Sequence, residues 1–373
     1  MPFKFNYNKL KVYDKILVVF NWVFSVAILS SYLAQFIDPR SVPIIAFAGL
    51  VYPFLLFINS IFFIYWLLKK KFFFAISATG ILLGFKVLIA NFGFRPEVHL
   101  PPKPVTGNIR VMVYNVHNFM GLDTTHRNFT QEDVFKLVND GKPDIVSLQE
   151  FSVNILSSKD IYAAATKSIQ SNQYYFKPYN LSEWDTIGVA ILSRFPIINR
   201  GVISSFKSQS QIEAIFVDVK WGTQIFRVYA LHLKPTDLKE QDHNYIKKLT
   251  HRANVNVREL STILHKLKIA FQKRADQVVL VKEHAGKCPY PYIITGDFND
   301  TPISFAVNQI SKGLKNAFIE KGSGSGITYF GDFPHFQIDY ILASQQFNVV
   351  NYQTIRKKVS DHYPILSDLE LKH

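Results

Sequence analysis

Gly296-Asp297-Phe298-Asn299, Gln337-Ile338-Asp339-Tyr340 and Ser360-Asp361-His362 follow one another near the C-terminal end of this chain. Each group adjoins a short apolar run that reads as a buried strand: Ile293-Ile294 before the first, Ile341-Leu342 after the second, Ile365-Leu366 after the third. Strands are rigid supports, so a sheet edge fed by these runs would hold acids, an amide and an imidazole at fixed separations. Asp297 and Asn299 are two apart, which on an extended chain puts both on one face and Phe298 in the core.

Three upstream strands end in residues of the same kinds. Val111-Met112-Val113-Tyr114 leads to Asn115, Asp144-Ile145-Val146-Ser147-Leu148-Gln149 leads to Glu150, and Phe226-Arg227-Val228-Tyr229-Ala230-Leu231 leads to His232. Taken singly, a strand-terminal Asn is a turn former and a terminal Glu or His a solvated end. It is the joint occurrence, in this order, that carries information.

The set Asn115, Gln149-Glu150, His232, Gly296-Asp297-Phe298-Asn299, Asp339 and Ser360-Asp361-His362 resembles the endonuclease/exonuclease/phosphatase superfamily. That superfamily includes pancreatic-type deoxyribonucleases, AP endonucleases, neutral sphingomyelinases and inositol-polyphosphate phosphatases. The resemblance spans residues 108–371 and implies an α/β fold, a four-layer sandwich of two packed mixed sheets flanked by helices. It also implies a metal-dependent phosphodiesterase in which an activated water attacks phosphorus. On that likeness Glu150 is the principal ligand of Mg²⁺ (Mn²⁺ being the alternative), with Asn115 and Asp361 beside the metal. Asp297 deprotonates the water, Asn299 fixes the water or the phosphate, and Asp339 holds His362 as a charge-stabilising imidazole. His232 assists the leaving group, with Glu183 or Asp185 to orient it, and Arg194 has a structural or phosphate-neighbouring place.

The first hundred residues read differently. Residues 16–37 carry no charge, 41–68 are interrupted only by Pro43 and Pro53, and 72–94 hold one charge, Lys86. Each reaches the roughly 20 residues that cross a bilayer, so three transmembrane helices are expected within a membrane anchor of residues 1–94. Lys4, Lys9, Lys11 and Lys15 precede the first span and Lys69-Lys70-Lys71 separates the second from the third. The positive-inside rule then puts the N-terminus in the cytoplasm and the catalytic domain, residues 108–373, outside it. Residues 95–107, with Pro96, Pro101, Pro102 and Pro104, read as a stiff linker that holds this domain off the membrane.

Net charge is +14, and residues 1–103 supply more than half of the excess, so basicity alone is no mark of nucleic-acid binding. The remaining basic residues cluster in the long segment 239–283, which reads as two helices and an insertion near the site. With Cys288 as its single cysteine the chain forms no internal disulfide. The expected function is an extracytoplasmic, membrane-anchored nuclease acting on nucleic acid, with a lipid or headgroup phosphodiesterase acting on phospholipid as the alternative; the lipid bilayer is a partner through the N-terminal helices. A non-catalytic, membrane-tethered binding module is the non-enzymatic alternative.

Overall fold

Between residues 12 and 91 several polar side chains are buried while many apolar ones face outward. The computed structural model describes residues 7, 10–97, 107–120, 131–155, 158–204, 212–251, 256–331 and 334–372. Helix α1 (Val12–Tyr32) packs against α2 (Pro43–Leu50), α3 (Tyr52–Leu68) and α4 (Phe74–Leu83), and α5 (Phe85–Asn91) closes the unit. Asn21, Ser25, Asn59 and Ser77 are buried at the centre, where the Ser25 hydroxyl donates to Asn59 Oδ1 at 3.0 Å and Asn59 Nδ2 to Phe24 O at 3.0 Å. Val19, Trp22, Val23 and Val26 face outward and are exposed. Helices that associate in lipid look like this, because hydrocarbon tails solvate the outer face and buried amides link the helices.

Three straight spans are not what the chain forms. One continuous helical stretch, Val12–Gln35, is long and apolar enough to cross a membrane; two more spans exist only if each bent pair is one span. The α2–α3 pair is bent by 55° and the α4–α5 pair by 70°. Pro53 in the first turn of α3 has no N–H to continue the helix from α2. At Gly84, between α4 and α5, the Tyr32 ring stands 2.0 Å from where a Cβ would be, so a larger residue would have to displace that ring. The third expected span also ends early, in strand β1 (Phe92–Phe94).

The region from residue 107 on reverses the pattern. Its elements run β2 (Asn108–Asn115), α6 (Gln131–Gly141), β3 (Ile145–Asn154), α7 (Ser158–Ser168), β4 (Gln173–Leu181), β5 (Asp185–Ser193), β6 (Ile197–Ser204), β7 (Ile212–Trp221) and β8 (Gln224–His232). After α8 (Glu240–His251) and α9 (Val257–Gly286) come β9 (Tyr292–Asp297), α10 (Phe305–Ser311), β10 (Lys315–Asn316), α11 (Ala317–Lys321) and β11 (Ser323–Ser325). The chain closes with β12 (Asp339–Ala343), β13 (Phe347–Val349), β14 (Gln353–Thr354) and β15 (Ile365–Leu371).

One sheet has the order β13-β15-β2-β3-β5-β4 and the other β10-β12-β9-β8-β7-β6. Both are mixed: β2–β3 and β8–β9 are parallel and their other neighbours antiparallel. Ile109, Val111 and Val113 of the first sheet meet Val217, Val228, Ile293 and Ile341 of the second in a central apolar layer. The alternate residues of each sheet, such as Met112 and Val146 or Tyr229 and Ile294, pack under α6 and α7 on one side and α9 and α10 on the other. The result is the expected α/β architecture of helix, sheet, sheet and helix.

Several local expectations need correction. The run 347–355 is two short strands, because Asn351 turns inward and bonds Asp368 with both ends of its amide (2.8 and 2.7 Å). Gly322–Gly326, whose alternating Gly and Ser read as a flexible surface loop, contains β11, which pairs antiparallel with β1. The region from 107 on is not held off the helical unit. Arg40 reaches Asp276 at 3.0 Å, Phe47 packs edge-on against Phe271 with centroids 5.4 Å apart, and β1 is clamped to β11. Most of the Pro-rich linker, the helix cap expected at Thr130, and Lys4, Lys9 and Arg252 lie outside the described residues.

Candidate active site

Strand parity aims the chemistry into one cleft. Val228 and Ala230 on β8, Ile293 on β9 and Ile341 on β12 all face the central layer. His232, Asp297 and Asp339 share their parity and so emerge where the two sheets part. In the ladder Asp297 pairs with His232 on one side and Asp339 on the other. Asn115 ends β2 on the same face as Val111 and Val113. Glu150 would point the wrong way but for a bulge between Leu148 and Phe151, at which its φ is +51°. A non-glycine residue held there is strained, and such strain persists where surrounding structure demands it. Gly296 serves the same end: its φ is +138° and a Cβ would lie 2.1 Å from Leu231 O, so only glycine lets β8 and β9 close beneath Asp297.

The expected residues converge. Asn115 Nδ2 donates to Asp297 Oδ2 at 3.0 Å and to Glu150 Oε1 at 3.1 Å. His232 Nε2 lies 3.5 Å from Glu150 Oε1 and 3.9 Å from Asp297 Oδ2. His362 Nδ1 meets Asp339 Oδ2 at 2.8 Å, while its Nε2 lies 3.7 Å from Asp297 Oδ2. The Ser360 hydroxyl donates to Asn115 O at 2.8 Å and ties this last loop to β2. Asp361 turns away from His362 and faces His117, 3.5 Å from its Nδ1.

Burial sets the electrostatics. Desolvation, together with the charge of Asp339, pushes the Asp297 carboxyl up to about 6 despite two nearby imidazoles. Burial pulls His362 down, but Asp339 and Asp297 outweigh it and carry the imidazole up to about 10. Glu150 is desolvated too, yet His232, the Asn115 amide and His117 together hold it below its ordinary value. A poised carboxyl thus sits beside a cationic imidazole, the division of labour that acid–base catalysis uses.

Three expected placements are revised. Asn299 is not on an extended chain: β9 stops at Asp297, Asn299 has φ +51°, and its Nδ2 donates to Leu233 O at 3.0 Å. Its backbone N–H donates to Asp297 Oδ1 at 2.7 Å, so Asn299 holds the carboxylate in place from behind. Glu183 and Asp185 do not orient His232; both are exposed, and Tyr179 packs on its ring with centroids 5.5 Å apart. Arg194 pairs with Asp144 at 3.2 Å, the structural alternative for that residue. His117 and Tyr179 are site residues that the sequence reading passed over. His117 lies only two residues beyond Asn115, which was signal enough; Tyr179 sits on β4, which Lys177 and Pro178 disguise.

Hard oxygen donors crowded together call for a cation. Asp297, Asp339 and His362 each place one ligand atom within 4.8 Å of the others. His362 Nδ1 is committed to Asp339 by a hydrogen bond, which leaves Nε2 as the ligand atom of that imidazole. Glu150 opens onto the same cavity as Asp297, Asp361 and His117. Carboxylates with room for water are what Mg²⁺ or Mn²⁺ prefers, and His232 Nε2 and Asp339 Oδ1 are buried with no hydrogen-bond partner among the described residues. The residues therefore fit a divalent cation. Asn115, expected beside it, turns its amide nitrogen to the carboxylates and its oxygen to the His117 N–H at 3.0 Å.

Residues 112–362 match the profile of the Endonuclease/Exonuclease/phosphatase family. The chain belongs to this family. Endonuclease/exonuclease/phosphatase proteins are hydrolases of phosphoester bonds that depend on a divalent metal, and the buried acid–imidazole cluster accords with that. The helical unit, residues 14–91, matches a domain of unknown function, DUF8431. Among solved structures, an endonuclease/exonuclease/phosphatase family protein from Bacteroides thetaiotaomicron is similar at 18% identity and a TM-score of 0.50, over 72% of this chain and 99% of that one. A functionally unknown conserved protein from Enterococcus faecalis V583 is similar at 16% identity and 0.50, over 71% and 100%. A family protein from Beutenbergia cavernae DSM 12333 aligns at 16% identity and 0.49, over 71% and 72%. No curated protein matches the chain by sequence.

Proposed function

We propose that this family member hydrolyses a phosphodiester by attack of an activated water, on the extracytoplasmic face of the membrane that holds its helical unit. The juxtaposition of Asp297, Asp339–His362 and Glu150 around one cavity carries the reading. A divalent cation held by Glu150, with Asp361 near it, would supply charge neutralisation at the phosphate oxygens. Asp297 takes the proton of the water whose oxygen attacks phosphorus. His362, kept protonated by Asp339, faces the negative charge that builds on the pentavalent centre. His232, on the other flank of Asp297, is placed to return a proton to the departing oxygen. The products are an alcohol and a phosphomonoester.

The orientation has its own support. Lys69 binds Asp14 at 2.8 Å at one end of the helical unit, while Asp38 and Arg40 at the other end face α9. Lys69-Lys70-Lys71 therefore lies at the end of the bundle away from the catalytic region, as the positive-inside rule requires for an extracytoplasmic site. The test is turnover of bis-p-nitrophenyl phosphate by the full chain in lipid nanodiscs. Hydrolysis should require Mg²⁺ or Mn²⁺, vanish in EDTA and return on adding back metal; turnover unaffected by EDTA, or none with either ion, overturns the reading.

A further inference from the structure

We propose that the substrate is a lipid: an amphiphilic phosphodiester drawn from the bilayer around the helical unit, its hydrocarbon chain lying along α9. This rests on the hydrolase reading above and names its substrate. Glu150, Asp297, Asp361 and His362 line a cavity of about 360 Å³ that has one apolar side. Ile246 of α8, Ile263, Leu267 and Phe271 of α9, and Leu50 of α2 form that side. Leu50 belongs to the helical unit, so the part of the chain that enters the membrane is itself a wall of the reaction chamber.

Helix α9 continues the apolar wall outward. Val257, Leu260, Leu264, Leu267 and Phe271 recur at intervals of three and four, one stripe on one face of the helix. Exposure falls along it, from 76% at Val257 through 41% at Leu264 to 4% at Phe271 inside the cavity. Arg258 and Lys268, both exposed, lie among these residues, the mixture of apolar and basic side chains that suits a helix at an anionic lipid surface.

A polyanion would be received differently. Arg274 is the one Lys or Arg lining the cavity among the described residues, and it is spent: 1% exposed, it binds Asp300 Oδ2 at 2.9 Å and Lys234 O at 3.0 Å. Lys266 is likewise paired, with Asp242. Nucleic-acid enzymes track the backbone with free cations; among the described residues this chamber has none of its own to offer.

The experiment uses the full chain in nanodiscs, Mg²⁺, and a series of alkyl p-nitrophenyl phosphates from methyl to dodecyl, with a single-stranded DNA oligonucleotide as a competing substrate. Each methylene that enters the stripe should lower KM about fourfold, so kcat/KM should rise more than a hundredfold between methyl and octyl. Leu264→Gln, at a partly exposed position that tolerates a polar side chain, and Leu267→Gln should each cut the octyl-to-methyl ratio at least fivefold. A flat response to chain length, or DNA cleaved faster than the octyl ester at equal phosphate concentration, overturns the proposal while leaving the hydrolase intact. If even the methyl ester is untouched, it is the hydrolase reading that has failed, and the lipid assignment goes with it.

Discussion

Residues 12–91 and the region from 107 on obey opposite solvent rules. In the helical unit Asn21, Ser25 and Asn59 are inside and Val19, Trp22 and Val26 outside. In the catalytic region Val111, Val228 and Ile293 are inside, and the buried charges that remain are paired or belong to the site. The difference teaches that burial by itself has no fixed sign. Asn59 is favourable where the surroundings are hydrocarbon, because its amide finds partners only within the bundle; Val228 is favourable where they are water. Within the region from 107 on the exceptions divide again, since Arg110–Asp368 at 2.6 Å is a buried pair that links β2 to β15, while Asp297 is a buried acid facing the cavity of the candidate site.

The sharpest way to separate the buried charges is to remove them. Asp297→Asn and His362→Ala should each reduce turnover of bis-p-nitrophenyl phosphate by about 10²–10⁴-fold with an unchanged circular dichroism spectrum; full activity in both would dissolve the distinction between catalytic and structural acids. Arg110→Met, by contrast, should leave the site's geometry alone and destabilise the fold by about 3–5 kcal/mol, because Asp368 stays buried without its cation. Denaturant unfolding would reveal this, and a loss below about 1 kcal/mol would refute it.

Asp297→Asn should also stabilise the metal-free protein. The folded-state carboxyl titrates at about 6, above its ordinary value, so the stability linked to its protonated form is complete below about pH 4 and lost as pH rises through 6. In EDTA at pH 8 the Asn variant should therefore gain roughly 1–3 kcal/mol, and the gain should shrink on going to pH 5. A variant that is less stable at pH 8 would contradict the poised-acid description. The smallest effects test the helical unit. Asn59→Leu should cost about 1–2 kcal/mol in nanodiscs, since the Ser25 hydroxyl and the helix contacts lose their partner, and outward-facing Val23→Ala less than about 0.5 kcal/mol. Equal losses would mean that the two halves of the chain do not differ in the way described.

Much of the site was legible because strand-borne chemistry follows parity. Ile293 and Ile294 announced a strand, and the strand fixed where Asp297 points; the same holds for His232 and Asp339. What the sequence hid was every departure from regular backbone. Glu150 reaches the cleft through a bulge, and Asn299 leaves its extended line through a left-handed turn, neither of which a period-two reading contains. Strands β4 and β6 were missed because Lys177, Pro178, Asn199 and Arg200 break alternation at partly exposed positions. The apolar length of residues 41–68 and 72–94 was plain, but the bends at Val51 and Gly84 depend on Pro53 and on a distant ring, Tyr32. Contacts between the two halves were not legible at all, since nothing local in Gly322–Gly326 points to Phe92–Phe94.

That last pairing changes what the linker is for. With β1 zipped to β11, Asn91 O accepting from the Gly326 N–H at 3.1 Å and Arg95 O accepting from the Ser323 hydroxyl at 2.7 Å, the segment between Phe94 and Gly107 is bypassed as a mechanical coupling. A protease that nicks it would leave the two pieces docked, and the enzyme could not swivel like a ball on a string. With the helical unit seated in a bilayer as proposed, the site would stand at a fixed height above it, and the rate would follow how densely substrate is spread across that plane, not how much of it is dissolved in the surrounding volume.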